Sequence, residues 1–129
     1  MPHERQRLGG TAEDLAARRL EAAGCRIVDR NARIRYAELG IAGELDLIAL
    51  DGSTLAIVEV KAARAGAARG PVRPVLAVGP KKQQRLRRLA RAWLATNRPP
   101  RCDAIRFDVV GVTFHPGGAT DFEWIRDAF

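Results

Sequence analysis

The chain has 129 residues, 47% of them hydrophobic and 29% charged, with a formal net charge of +7; this is enough for one domain with a sheet covered on both faces. No apolar run approaches the roughly 20 residues of a membrane span and no hydrophobic segment follows the charges of residues 1–7, so no membrane association and a cytoplasmic location are expected. Cys25 and Cys102 stand far apart without a partner motif, which suits a reducing compartment and excludes a disulfide framework.

Residues 1–9 read as a flexible polar lead-in. Thr11 and Asp14 form a capping-box pattern ahead of residues 12–23, with Gly24 as a stop, which predicts a helix starting at Thr11. On that helix Glu13 lies three and seven residues before Ala16 and Leu20, on the stripe that faces the sheet. Two readings stand for Glu13. A carboxylate facing a core needs a partner, and a metal site would supply one; in an exposed first turn it would only complement the helix dipole.

Residues 25–36 predict a first strand. Residues 43–48 and 58–61 then read as the two arms of a hairpin, because Asp51-Gly52 between them is a strong turn signal. A four-residue loop sets Leu50 against Leu55 and Asp46 against Glu59; a two-residue loop centred on Asp51-Gly52 sets Asp46 against Ile57. Either register places Asp46, Glu59 and Lys61 on one face, since residues two apart on a strand share a side. Two facing carboxylates repel unless one holds a proton or a cation lies between them. A Glu-x-Lys with an Asp nearby is ordinarily a surface pair. Here residues 55–60 are apolar on both faces, the mark of a buried strand, which favours a metal site. Oxygen ligands suit Mg²⁺ or Mn²⁺ rather than zinc.

Residues 62–79 are rich in Ala, Gly, Pro and Arg and predict a mobile basic loop. Pro80 opens a helix through Thr96, stopped by Asn97 and Pro99-Pro100, with Leu86, Leu89, Ala90, Trp93 and Leu94 as its buried stripe. Lys82 falls near that stripe, so its amine can reach the carboxylates. Residues 106–112 predict a further, central strand, and residues 115–118 turn into a short last segment containing Phe122, Trp124 and Phe129. The result is one α/β domain over residues 1–129, a mixed sheet flanked by helices. Within it residues 61–102 hold twelve Lys and Arg and no Asp or Glu, against ten basic and fifteen acidic residues elsewhere. So local a surplus marks a polyanion partner, and its arginines favour bidentate grip on phosphates. The cations expected to make that grip are Lys82, Arg64, Arg69, Arg73, Lys81, Arg85 and Arg88.

The order helix, three strands, helix, strand, with Asp46 on the second strand and Glu59-Val60-Lys61 on the third, resembles the PD-(D/E)xK, restriction-endonuclease-like superfamily and its αβββαβ core. More closely, Gly10-Thr11-Ala12-Glu13, Asn31-Ala32-Arg33, residues 43–48, Val58-Glu59-Val60-Lys61, the Lys82 helix and Arg106-Phe107-Asp108-Val109 are similar to the bacterial YraN-like proteins, which resemble archaeal Holliday junction resolvases in their active-site pattern. The resemblance implies a metal-dependent endonuclease acting on DNA, including branched or junction DNA. Asp46, Glu59 and the Val60 carbonyl would hold Mg²⁺ or Mn²⁺, Glu13 would bind or orient a second ion or its waters, and Lys61 would position the attacking water. A homodimer would place two such sites symmetrically. The alternative is a non-catalytic nucleic-acid-binding protein on a nuclease-like fold.

Overall fold

Period-two alternation carries the chain through three consecutive strands before a second helix forms. The computed structural model describes residues 4–66 and 73–129, with side chains from Gly10 onward. The elements are α1 (Glu4–Ala22), β1 (Arg26–Tyr36), β2 (Ile41–Asp51), β3 (Thr54–Arg64), α2 (Pro80–Thr96), β4 (Ala104–Phe114) and β5 (Thr120–Ile125), with 3-10 turns at Ala37–Leu39 and Pro74–Ala77. They build one sheet in the order β1-β2-β3-β4-β5. Every neighbouring pair is antiparallel except β3 and β4, which are parallel and joined by the crossover through α2. This is the mixed α/β core expected of a restriction-endonuclease-like domain.

The β2–β3 hairpin pairs Leu50 with Leu55 and Asp51 with Thr54. Gly52, at φ +61°, takes the left-handed position that so tight a turn requires. Each face of the sheet has its own core. Ala12, Ala16, Ala17 and Leu20 of α1 pack on Leu47, Ala56, Val58, Val110 and Val112. On the other face Leu86, Leu89, Ala90 and Trp93 of α2 pack on Leu45, Ile48, Leu55, Ile57 and Val109. The approach of α2 to β2 is close: a Cβ on Gly43 would lie 2.8 Å from Arg85 Nη2 and 3.1 Å from Leu89 Cδ2.

Three expectations change. Helix α1 begins at Glu4 and runs through Gly9-Gly10, so Thr11 lies inside it rather than capping it. Two interior glycines disfavour a helix by about 1 kcal/mol each relative to alanine, too little to stop one whose later turns are packed. The expected basic loop over 62–79 is ordered at both ends: β3 continues to Arg64, the Ala65 N–H donates to Phe114 O at 2.8 Å, and Pro74 and Val75 are buried in the 3-10 turn. Residues 67–72, Arg69 among them, lie outside the described residues. Finally, the short last segment forms a fifth strand, which the expected order of helix, three strands, helix, strand did not contain. It pairs with β4 from Val109↔Ile125 to Phe114↔Thr120, across a turn in which Gly117 and Gly118 have φ of +88° and +97°.

A buried carboxylate ties this fifth strand down. Asp108, fully buried on β4, accepts Nε and Nη2 of Arg106 at 2.8 and 2.9 Å, Trp124 Nε1 at 3.0 Å and the Asp127 N–H at 3.0 Å. Arg106 also reaches Asp51 Oδ2 at 3.0 Å on the hairpin turn. The far side of the sheet ends in β1, along whose open edge Arg26, Arg30, Arg33 and Arg35 are exposed.

Candidate active site

Strands β1 and β2 change phase at the same rung. Along β2, Ile41 and Leu45 face α2, and strict alternation would put Leu47 beside them; instead Leu47 and Ala49 face α1 while Ile48 faces α2. Along β1, Ala32 and Ile34 face α2, whereas Arg30 is ion-paired with Asp14 of α1 on the opposite face. Between the pairs Arg30↔Leu47 and Ala32↔Leu45 stand Asn31 and Asp46. Asn31 has φ +49°, a left-handed backbone that asparagine tolerates better than most residues. The reversal of the pleat is therefore seated in this one residue pair.

At that rung β2 also leaves β3, for the ladder of the two strands begins with Leu47↔Val58. The Val60 N–H, which would have met β2 one step further along, donates instead to Asp46 Oδ2 at 2.9 Å. A strand N–H points along the sheet toward its neighbour, so the Asp46 carboxylate lies in the fork between the strands rather than on either face. This refines the expected arrangement, in which Asp46 shared a face with Glu59 and Lys61.

Glu59 and Lys61 do share a face, the one that α2 covers. Glu59 is buried, with 5% of its surface exposed. Its Oε2 lies 3.2 Å from Lys82 Nζ, off the line of a hydrogen bond, and 3.9 Å from Lys61 Nζ, so two ammonium groups flank a buried oxygen that accepts no hydrogen bond. Lys82 thus arrives from α2 where its place on the stripe predicts. The Asp46 and Glu59 carboxyls are in hydrogen-bonding contact. Burial, that contact and the charges of Glu59 and Glu13 push Asp46 up to about 8, against the opposing pull of the Val60 N–H. Glu13 is half-buried on α1. Burial raises its pKa, while a hydrogen bond from Asn31 and the charge of Arg30 pull it back; Glu44 and Asp14 push it up. Because α1 starts at Glu4, Glu13 is not in an exposed first turn but partly buried two turns further on.

The donor set fits a hard divalent cation. A buried carboxylate oxygen without a hydrogen bond and a neighbouring carboxyl that holds a proton near neutral pH are the two signs of missing positive charge. The set is small, however: among the described residues no three His, Cys, Asp or Glu side chains gather closely enough to hold a metal by themselves. Asp46 and Glu59 are the carboxyls in contact, and Glu13 adds charge from α1.

The basic residues are more engaged than their sequence suggests. Arg85 Nη2 donates to Ala42 O, and Arg88 Nη2 to Leu39 O at 3.2 Å, both clamping α2 onto the start of β2. Arg73 is paired with Glu123, its Nε at 3.1 Å, which raises the arginine and lowers the glutamate. Arg64 is exposed at the end of β3, and Lys81 is exposed on the first turn of α2. Arg87 lies over the rings of Phe107 and Phe129, 4.8 and 5.5 Å from their centroids. Two groups carry no role in the sequence reading, Asn31 and Glu44. The sequence signal available for Asn31 was a small polar residue interrupting a strand, and that is a weak one.

Comparison with known proteins follows the same lines. Residues 12–112 match the uncharacterised protein family UPF0102. The chain is similar to a UPF0102 protein of Nocardia farcinica, 47% identical over 126 residues that cover 98% of this chain and 91% of that one. Relatives in Syntrophus aciditrophicus and Geobacter sulfurreducens are 43% and 42% identical, covering 95% and 98% of this chain and 88% and 91% of theirs. With its α/β sheet, the match across both helices and four strands, and these full-length relatives, the chain belongs to the UPF0102, YraN-like family.

Proposed function

We propose that this protein is a metal-dependent endonuclease that hydrolyses DNA phosphodiester bonds, with branched or junction DNA as its preferred class of substrate. The observation that carries this reading is the contact between the Asp46 and Glu59 carboxyls at the fork of β2 and β3, flanked by Lys61 and Lys82. Asp46 and Glu59, with the Val60 carbonyl, would hold Mg²⁺ or Mn²⁺, and Glu13 would act on a second ion or on bound waters. Such a cation supplies charge neutralisation at the scissile phosphate and acidifies a water. To hold the cation, Asp46 would have to be in its ionised form. Lys61, partly exposed beside Glu59, orients the attacking water and offers positive charge to the phosphate oxygens. Lys82, Lys81 and Arg64 hold the backbone, and such contacts give affinity without sequence readout. A two-fold dimer would present two of these sites to a junction.

The test is Mg²⁺- or Mn²⁺-dependent cleavage of junction, flap and single-stranded DNA by the folded protein. Cleavage that falls by a factor of about 100 or more in Asp46→Asn and Lys61→Ala is the expected result. A folded wild-type protein that cuts none of the three, or variants as active as the parent, would defeat the proposal. The second reading, a nucleic-acid binder without catalysis, is favoured by one observation: Lys82 already lies against Glu59 Oε2 and could serve in place of a cation. Calorimetry with Mn²⁺ separates them, because only the nuclease reading requires an ion site that Asp46→Asn abolishes. Affinity for DNA falls with salt in both cases.

A further inference from the structure

We infer that Lys82 is the resident counter-ion of Glu59, and that it yields that carboxylate to a divalent cation and moves to a phosphate of the substrate; this role rests on the nuclease reading and couples ion binding to DNA binding. Two positive charges compete for one oxygen. Glu59 Oε2 is buried, accepts no hydrogen bond and lies 3.2 Å from Lys82 Nζ. Lys61 Nζ stands further off, at 3.9 Å. The Lys82 ammonium is therefore the nearer neutralising charge, and a cation ligated by the same carboxylate would meet it at close range in a poorly solvated place, where like charges repel strongly. Both cannot stay.

Lys82 is placed to be the one that moves. Its side chain is 41% exposed against 5% for Glu59, so the ammonium reaches water by rotation about its own bonds and the acid cannot follow. It stands third in α2 after Gly79, in a first turn that holds Lys81 as well and no acid. Positive charge at a helix N-terminus opposes the macrodipole. Glu59 offsets that opposition, and the ion pair with Glu59 is the one that Lys82 makes among the described residues. With Glu59 neutralised by a cation, no other acid in that set holds the ammonium. It is then free on the α2 face, beside the carboxyl pair, to present a point charge to a phosphate oxygen next to the scissile bond. Lys82 thus passes from the protein's own carboxylate to the substrate, and ion and DNA strengthen each other's binding.

Calorimetry with Mn²⁺ in the absence of DNA tests the competition. Lys82→Gln removes the competing charge and is expected to bind Mn²⁺ about tenfold tighter than wild type. Lys81→Gln, exposed on the same turn, and Lys82→Arg, which keeps the charge, are expected to stay within about twofold of wild type. A lysine that merely braces the fold would lower the melting temperature without tightening the ion. In a Lys61→Ala background, where cleavage is slow, Mn²⁺ is expected to raise affinity for junction DNA, and adding Lys82→Gln is expected to shrink that gain about tenfold. A crystal structure of the wild-type protein soaked in Mn²⁺ is expected to show Lys82 Nζ more than about 4 Å from Glu59 Oε2, outside ion-pair range, a readout that does not depend on the variant folding. Lys82 Nζ still against Glu59 Oε2 with the ion bound, or Mn²⁺ affinity in Lys82→Gln equal to or below that of wild type, overturns the inference and leaves the nuclease reading standing. Failure of both wild type and Lys82→Gln to bind Mn²⁺ defeats the two together.

Discussion

At the scale of residues, the centre of this molecule is a carboxyl pair that opposes its own fold. Asp46 is pushed up to about 8 from an ordinary value of 3.8, so between about pH 4 and pH 8 the folded protein holds a proton that the unfolded chain lacks. A raised carboxyl pKa contributes stability that is complete below the unfolded value and is lost as pH rises through the folded one. The metal-free protein is therefore expected to melt at progressively lower temperature from pH 5 to pH 8, as far as this group governs it. Asp46→Asn removes the charge while its amide oxygen still accepts the Val60 N–H. It should flatten that dependence and raise stability at pH 8 by on the order of 1–2 kcal/mol. Thermal melts across the pH range check both. The shared face of Glu59 and Lys61 was legible in the sequence from strand alternation, and the side of Lys82 from helical spacing; the turn of Asp46 into the fork was not, because alternation breaks at that residue. Nor was Asn31, since nothing in residues 29–33 announces a left-handed backbone.

At the scale of elements, the apolar stripes of the helices and the bounds of α2 follow from periodicity and from Pro80 and agree with the structure, and of the two hairpin registers left open the structure has the one that pairs Leu50 with Leu55. The misses share a cause: each depends on contacts between segments distant in sequence. Helix α1 overruns Gly9-Gly10 because its later turns are packed. Strand β5 forms although both its faces are half-exposed, because β4 offers a free edge and Asp108 receives Trp124. The segment before α2 is ordered because Gly111 leaves room for it. A Cβ at that position would lie 3.0 Å from Val75 Cγ1 and 3.2 Å from both Pro74 Cβ and the Val75 backbone nitrogen. Gly111→Ala should thus lift the Pro74–Ala77 turn off the sheet and destabilise the protein by about 1–3 kcal/mol, measured by chemical denaturation. Arg85 and Arg88 of α2, expected to grip phosphates, instead contact the protein's own backbone. Composition identifies a basic helix, but only the fold shows that Arg85 and Arg88 reach carbonyls at the start of β2.

At the scale of the whole molecule, two ionic arrangements of opposite kind sit on one sheet. The Asp46–Glu59 pair lacks positive charge; the Arg106–Asp108 pair has every partner it needs, and it joins the hairpin turn, β4 and the chain beyond β5. Burial of Asp108 is complete and Arg106 is only 18% exposed, so Asp108→Ala strands a cation and should destabilise the fold by about 3–5 kcal/mol. Denaturant melts of that variant provide the measurement, and loss of near-ultraviolet signal from Trp124 would mark detachment of β5. Among the described residues no helix is long and apolar enough to cross a membrane. The outer rim of β1 has a consequence for assembly. Arg26, Arg30, Arg33 and Arg35 are exposed along β1, whose outer edge pairs with no strand among the described residues, and two copies aligned along that rim would bring like charges together. Sheet extension from one copy into another, the usual route to fibrils and swapped oligomers, is disfavoured there.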